Sequence, residues 1–279
     1  MNEIWYQFKK NKIALFGLGM TVMFIIFAIL APLIAPYDPY EMSTSDSLAG
    51  PSLAHLMGTD QFGRDILSRI IYGTRISLQV GIISVGISLV LGTLIGLVAA
   101  YYGRWVDMVL SRFTDVLFSF PDILLALVIM AILGPSLTNL MIAIGIVYTP
   151  IFARIARGAV LSIKSSLYID AAKSMGVSNR KIMWKHILPN SMAPLIVQVT
   201  LSFAFAILAE AALSFLGLGV SPDTPSWGIM LSEGKNWMET AWWIAVFPGI
   251  AITLAVFSFN VMGDGLRDAL DPKLKNESS

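Results

Sequence analysis

Six long apolar blocks constrain this chain more than any other feature. A helix needs about 20 mostly apolar residues, at about 1.5 Å rise each, to cross the hydrocarbon core of a bilayer. Runs of that kind occupy residues 13–35, 77–101, 113–134, 138–156, 193–217 and 241–263. The third is interrupted by Asp115, Pro121 and Asp122, so its unbroken run begins only at Ile123. Composition agrees with lipid as the solvent. Of the 279 residues, 56% are hydrophobic and 13% charged, whereas soluble domains carry about 25% charged residues. The expected fold class is all-α integral membrane, with six transmembrane helices.

Orientation follows from lysine and arginine, which accumulate on the cytoplasmic side. With the N-terminus inside, fifteen of these residues lie in or beside cytoplasmic segments, among them Lys9, Lys10, Lys12, Arg154, Lys173, Lys273 and Lys275. Only four, Arg64, Arg69, Arg75 and Lys235, lie outside. An even number of spans then leaves both termini in the cytoplasm. The first block has basic residues before it and Ala31 and Ala35 at its end, as a secretory signal has. Its apolar run exceeds the roughly 7–15 residues of a signal core, so an uncleaved anchor is expected. The chain divides into residues 1–76, the anchor and an external segment, and residues 77–279, a five-helix core. The external segment carries Pro36, Pro39 and Pro51 and a short helix predicted from Arg64 to Tyr72, and is expected to cap the outer mouth of the bundle.

Several residues inside the spans restrict packing. Ser84, Ser88, Gly92, Gly96 and Ala100 recur every fourth position, giving a strip of small residues along one helix face. General tight helix packing is preferred to a dedicated dimer face. Pro150 and Pro248 predict kinks in the fourth and sixth spans. Trp242 and Trp243 stand where interface anchors stand, with Trp227 and Trp237 in an outer loop expected against the membrane surface. Glu210 lies mid-span, where an ionisable group costs about 2.5–3.5 kcal/mol on insertion scales. Two readings stand side by side: a residue of a translocation path, in company with Gln198 and Asn260, or a carboxyl hydrogen-bonded across helices to Gln198, Thr200 or Asn260.

The sequence lacks the usual catalytic motifs. It has no cysteine and two histidines, His55 and His186, too few for a histidine–cysteine metal cage. Glu233-Gly234-Lys235-Asn236 is the nearest string to a phosphate-binding loop, and it lacks both the preceding glycine and the hydroxyl. Neither a His-Glu-x-x-His helix nor a Gly-x-Ser-x-Gly elbow occurs. A net charge of +1 gives no basic patch for nucleic acid. The chain is therefore read as no enzyme, binding no cofactor of its own.

The longest inside loop spans residues 157–192. Leu167 to Met175 suits a helix that Gly176 stops, and Ser178 suits the start of a second helix running to Ile187, ended by Pro189. Met175 and Val177 fall near the tip. Physical reading alone leaves two options, an amphipathic loop resting on lipid headgroups and an apolar tip that enters a partner's groove. Asp170-Ala171-Ala172, Gly176 and Leu188-Pro189, at these spacings, resemble the coupling motif of ABC-importer permeases. Asp170 replaces the usual Glu, and His186 stands where the family has Ile, with Ile187 one place later.

The similarity covers nearly the whole chain. The segments 58–69, 214–219, 225–228 and 259–272 resemble permeases for dipeptides, oligopeptides and nickel, of the dipeptide-permease C type. That resemblance implies a permease subunit of a binding-protein-dependent importer in a prokaryotic plasma membrane, with dipeptides or oligopeptides as cargo and nickel or glutathione as alternatives. It implies a sibling permease forming the path, two ATPase subunits holding ATP and Mg, and an external binding protein. It assigns ATPase coupling to Asp170, Ala171, Ala172, Met175, Gly176, Val177, Leu188 and Pro189. The rival from another class is a stand-alone secondary transporter, which ordinarily carries an inverted repeat; no repeat is visible here.

Overall fold

A computed structural model describes residues 2–219, 221 and 223–270. Lys273 and Lys275, and Asp271 and Pro272 of the last matching segment, lie outside the described residues. Helices account for most of the chain: α1 (Asn2–Lys10), α2 (Lys12–Ile34), α3 (Ile66–Tyr102), α4 (Arg104–Phe118), α5 (Asp122–Leu133), α6 (Leu137–Lys164), α7 (Leu167–Ser174), α8 (Asn179–Lys181), α9 (Met192–Phe215), α10 (Trp227–Gly234) and α11 (Trp243–Leu270). Five described stretches are long and apolar enough to cross a membrane, and α4 with α5 make a sixth if that bent pair is one span. Among the described residues there is no strand beyond an isolated bridge between Thr59 and Asp65.

The third span differs from expectation. Instead of one helix over 113–134, α4 and α5 meet at a bend of 93°. Pro121 supplies the cause. It has no N–H to donate, and its ring drives Phe120 out of the helical region. The predicted helix from Arg64 to Tyr72 is not separate either. It is the first part of α3, which runs unbroken for 37 residues. Asp65 starts it by accepting a hydrogen bond from the Ser68 amide at 2.8 Å, and no proline interrupts it afterwards. The division at residue 76 consequently falls inside a helix. Pro150 and Pro248 lie within the continuous helices α6 and α11.

The strip of small residues on α3 packs inside this chain, against α6, in the most extensive helix contact of the fold. The Ser84 hydroxyl donates to the Met141 carbonyl at 2.9 Å and the Ser88 hydroxyl to Gly145 at 2.8 Å. A methyl group at Gly92 would overlap Phe152, and one at Gly96 would overlap the Ala153 carbonyl. With no hydrophobic effect between helices in lipid, close backbone approach and such hydrogen bonds hold the pair. Buried Val80, Leu140, Ile144 and Phe152 continue the contact as the main core. A second core joins α2, α9 and α11 through Phe24, Ile207, Ala255 and Phe259.

The two ends of the bundle are built differently. At one end the 36–65 segment, α10 and the start of α11 lock together. Trp243 Nε1 donates to the Thr59 carbonyl at 3.0 Å, and Trp227 Nε1 donates to the Ile70 carbonyl at 3.0 Å. Trp227 is thus buried, not spread on a membrane surface as expected, because its indole fills the gap above Gly73. Trp242 stays half exposed, as an interface anchor would. The other end carries the α7–α8 loop.

Candidate functional site

The loop between α6 and α9 has its own small core. Ile169 and Ala172 on α7, Ile182, Met183 and Ile187 beyond α8, and Leu97, Ala100, Tyr101 and Val160 from α3 and α6 form one buried cluster. Polar ties fix its register. Tyr101 donates to Asn179 Oδ1 at 2.7 Å, and Lys164 Nζ donates to the Ala100 and Tyr101 carbonyls at 3.0 and 2.6 Å. A lysine suits that place, since the last carbonyls of α3 lack helical partners. The loop is therefore seated on the ends of α3 and α6.

Gly176 ends α7 with φ +77°, a left-handed conformation that glycine adopts without a Cβ penalty. Its amide donates to the Lys173 carbonyl at 2.9 Å, and the Val177 amide to Ala172 at 3.1 Å. The second helix is not the one expected. Ser178 makes no side-chain cap, α8 is a single turn, and Ile182–Ile187 winds as a wider π turn. The Leu188 amide reaches back five residues to Met183 at 2.9 Å. Pro189 does not end the helical path; it opens a 3₁₀ turn, Pro189–Ser191, that leads into α9. With this winding Ile187 is fully buried in the loop core together with Ile182, and His186 is half buried.

The eight coupling residues separate into two groups. Ala172 is buried and Val177 and Leu188 are half buried, all three packing in or against the loop core. Asp170, Ala171, Met175, Gly176 and Pro189 are exposed, with Asp170 paired to Lys173 at 3.0 Å. Two residues that sequence reasoning passed over join the exposed group. Leu167 is 88% exposed and Trp184 is half exposed, beside Met175 at 76%. Neither has a periodicity that distinguishes an outward apolar side chain from a core one.

Glu210 is fully buried, and its partners are not the expected ones. Oε1 accepts from Ser214 at 2.9 Å and Ser226 at 2.8 Å, and Oε2 accepts from Ser77 at 3.3 Å. Ser226 is also the N-cap of α10, so the carboxyl joins α3, α9 and α10. Gln198 instead donates to Ser202 at 2.9 Å, and Thr200 to the Val197 carbonyl at 2.7 Å. Gln198 lines a cavity of about 530 Å³ between α6, α9 and α11 at the loop end, with Ile155, Leu201 and Arg267. Asn260, half buried on α11, makes no side-chain hydrogen bond among the described residues. Glu210, Gln198 and Asn260 are not brought to one place.

The opposite end contains a buried ionic network. Arg64 donates from Nε to Asp60 at 2.6 Å and from Nη2 to Glu233 at 3.0 Å. Arg69 lies 3.9 Å from Asp60 and donates to the Pro39 carbonyl at 3.2 Å. Burial pushes the Glu233 carboxyl above its ordinary value, with Arg64 pulling it back. Glu233 borders a second cavity, of about 590 Å³, with residues from the α5–α6 turn, the end of α9 and α10.

A family model described as the binding-protein-dependent transport system inner membrane component matches residues 92–276. A second, the N-terminal TM domain of oligopeptide transport permease C, matches residues 1–51. The chain is 53% identical over 274 residues to the dipeptide transport system permease protein DppC of Alkalihalophilus pseudofirmus, covering 98% of this chain and 90% of that one. It is 47% identical to the di/tripeptide transport system permease protein DppC of Pseudomonas aeruginosa, covering 99% and 93%. It is 45% identical to the glutathione transport system permease protein GsiD of Pectobacterium atrosepticum, covering 98% and 91%. Among solved structures, the MetNI methionine ABC transporter in an inward-facing conformation matches with TM-score 0.58 at 19% identity, over 73% of this chain and 96% of that one. This likeness speaks to the fold.

Proposed function

This chain belongs to the family of binding-protein-dependent transport system inner membrane components, and on that premise we propose that it is the permease subunit of an ATP-driven importer of dipeptides or oligopeptides. It is a multi-pass protein of the prokaryotic inner membrane. A stand-alone secondary transporter is not compatible with 53% identity over 98% of the chain to a permease of this kind. The names of the relatives support peptides over nickel. Glutathione, itself a peptide, is the second reading, favoured by the 45% identity to GsiD.

One observation carries the coupling role: the α7–α8 loop buries its underside on α3 and α6 while leaving Leu167, Met175 and Trp184 uncovered. In this reading the loop and both termini face the cytoplasm, in keeping with the lysine and arginine bias, and the 36–65 segment faces outward. Two ATPase subunits hold ATP and Mg, and one of them receives the exposed surface of Ala171, Met175, Gly176 and Trp184. Closing of the ATPase pair pushes this surface, and the loop core passes the displacement into α3 and α6. A two-state bundle then exchanges outward and inward openings. A sibling permease completes the path, for which Gln198 and Asn260 are the candidate residues of this chain, while Glu210 braces α3, α9 and α10. An external binding protein delivers the cargo.

The test is reconstitution in liposomes of this chain with its sibling permease, both ATPases and the binding protein. ATP-dependent accumulation of a labelled dipeptide is expected, with no ATPase activity from this chain purified alone. Dipeptide uptake that ignores ATP, or ATP turnover by the isolated chain, contradicts the reading.

A further inference from the structure

We propose that the cavity bordered by Glu233 is an outer site for the ammonium end of a peptide cargo. This rests on the reading of the chain as a peptide permease and adds a place where the permease itself touches its substrate.

The cavity holds about 590 Å³, within the range of small-molecule sites. Glu233 is the only charged side chain among its described lining residues. Its Oε2 is held by Arg64, whereas Oε1 accepts no hydrogen bond among the described residues, and the side chain is 18% exposed. Arg64 divides itself between Glu233 and Asp60, and Arg69 lies 3.9 Å from Asp60, but neither arginine bonds Glu233 Oε1 among the described residues. Lys235 does not reach it either: its Nζ lies over the Phe215 ring, 4.8 Å from the centroid, and makes no ion pair among the described residues.

The backbone contributes as well. Helix α9 ends at this cavity, with Ser214 and Gly217 in its lining. Helix C-termini carry partial negative charge that favours a cation. One helix, α6, begins here, and Ser136 caps it by accepting from the Asn139 amide at 3.1 Å. Ser221 and Thr224 also line the cavity, and their hydroxyls make no hydrogen bond within the chain among the described residues. A carboxylate oxygen, two unpaired hydroxyls and one helix C-terminus suit a group with three N–H donors. An ammonium has them; an N-acylated peptide does not.

The experiment uses the assembled permease pair with its ATPases in detergent, without the binding protein, titrated with L-alanyl-L-alanine and with its N-acetyl derivative. Binding is read as the rise in thermal midpoint, and ATP-dependent uptake of the free dipeptide is measured in parallel on the full transporter. The expected result is binding of the free dipeptide, at least about tenfold weaker binding of the acetylated form, and a similar loss in Glu233→Gln, in line with about 1.4 kcal/mol per tenfold for a charge-assisted hydrogen bond. Glu233→Gln keeps an oxygen for Arg64, and Thr224→Trp fills the cavity without touching that pair; each should weaken dipeptide binding at least about tenfold. No binding to the wild type, equal binding of both peptides, or undiminished binding by either variant overturns the site. If uptake proceeds normally in those cases, the importer reading stands and only the site falls; if the wild-type transporter takes up no peptide, both fall.

Discussion

The two ends of this permease solve opposite problems with similar lengths of chain. The cap, 36–65 with α10, is tied down by buried polar contacts: Arg64 bridges Asp60 and Glu233, two tryptophan N–H groups reach backbone carbonyls, and Ser226 at the start of α10 is one of three hydroxyls that Glu210 accepts from. The α7–α8 loop is held by a small apolar core on its underside and leaves Leu167, Met175 and Trp184 uncovered. Leu53 and Leu56 are uncovered on the cap as well, so the difference lies in what holds each segment. A segment fixed by a buried ionic and hydrogen-bonded network serves as a platform, and one seated on a small apolar core is suited to move with a partner that covers it.

If this contrast is correct, substitutions in the cap should cost stability and those on the loop surface should cost coupling. The largest loss is expected for Arg64→Ala, which strands Glu233 and leaves Asp60 with Arg69, 3.9 Å away, as its cationic partner. Removing one partner of a buried ion pair costs about 3–5 kcal/mol, visible as a lower thermal midpoint of the purified chain. Glu210→Ala comes next, at about 2–3 kcal/mol, because the Ser77, Ser214 and Ser226 hydroxyls lose their acceptor; Glu210→Gln should recover most of it. Trp227→Phe removes one donor while the Ile70 carbonyl keeps its bond from Thr74 at 3.1 Å, so about 1 kcal/mol is expected. The smallest stability effect belongs to Met175→Asp, within about 0.5 kcal/mol as for exposed positions generally. Dipeptide uptake by that variant should nevertheless fall at least about tenfold, an outcome that stability alone does not produce. A Met175→Asp chain that unfolds readily, or one that transports normally, removes the distinction between the two ends.

Much of this was legible in the sequence, and the exceptions have physical causes. Apolar length marked the spans because lipid sets a minimum for each. Asp115, Pro121 and Asp122 marked the weak third span, but local residues do not state a 93° turn. The continuous α3 was hidden because Gly73, Thr74 and Arg75 separate the short predicted helix from the apolar run, although Gly73 and Thr74 are buried within one helix. Glu210 was recognised as costly, yet its partner Ser77 lies 133 residues away, and Arg64 meets Glu233 across 169. Such pairs follow from the packing of α3, α9 and α10, which no local pattern encodes. Within the loop, the motif does not separate seat from surface. Ala172, Val177 and Leu188 serve the seat, while Leu167 and Trp184 carry no pattern that announces an outward side chain.

The central claim is that the loop around Gly176 is where an ATPase subunit binds. The chain contains no cysteine, so Met175→Cys introduces a single thiol at the exposed tip. Maleimide labelling of this variant should be rapid in the permease pair alone and strongly slowed once the ATPase subunits are bound, with Leu53→Cys on the outer cap labelled equally in both. Equal labelling of Met175→Cys with and without the ATPases would contradict the account.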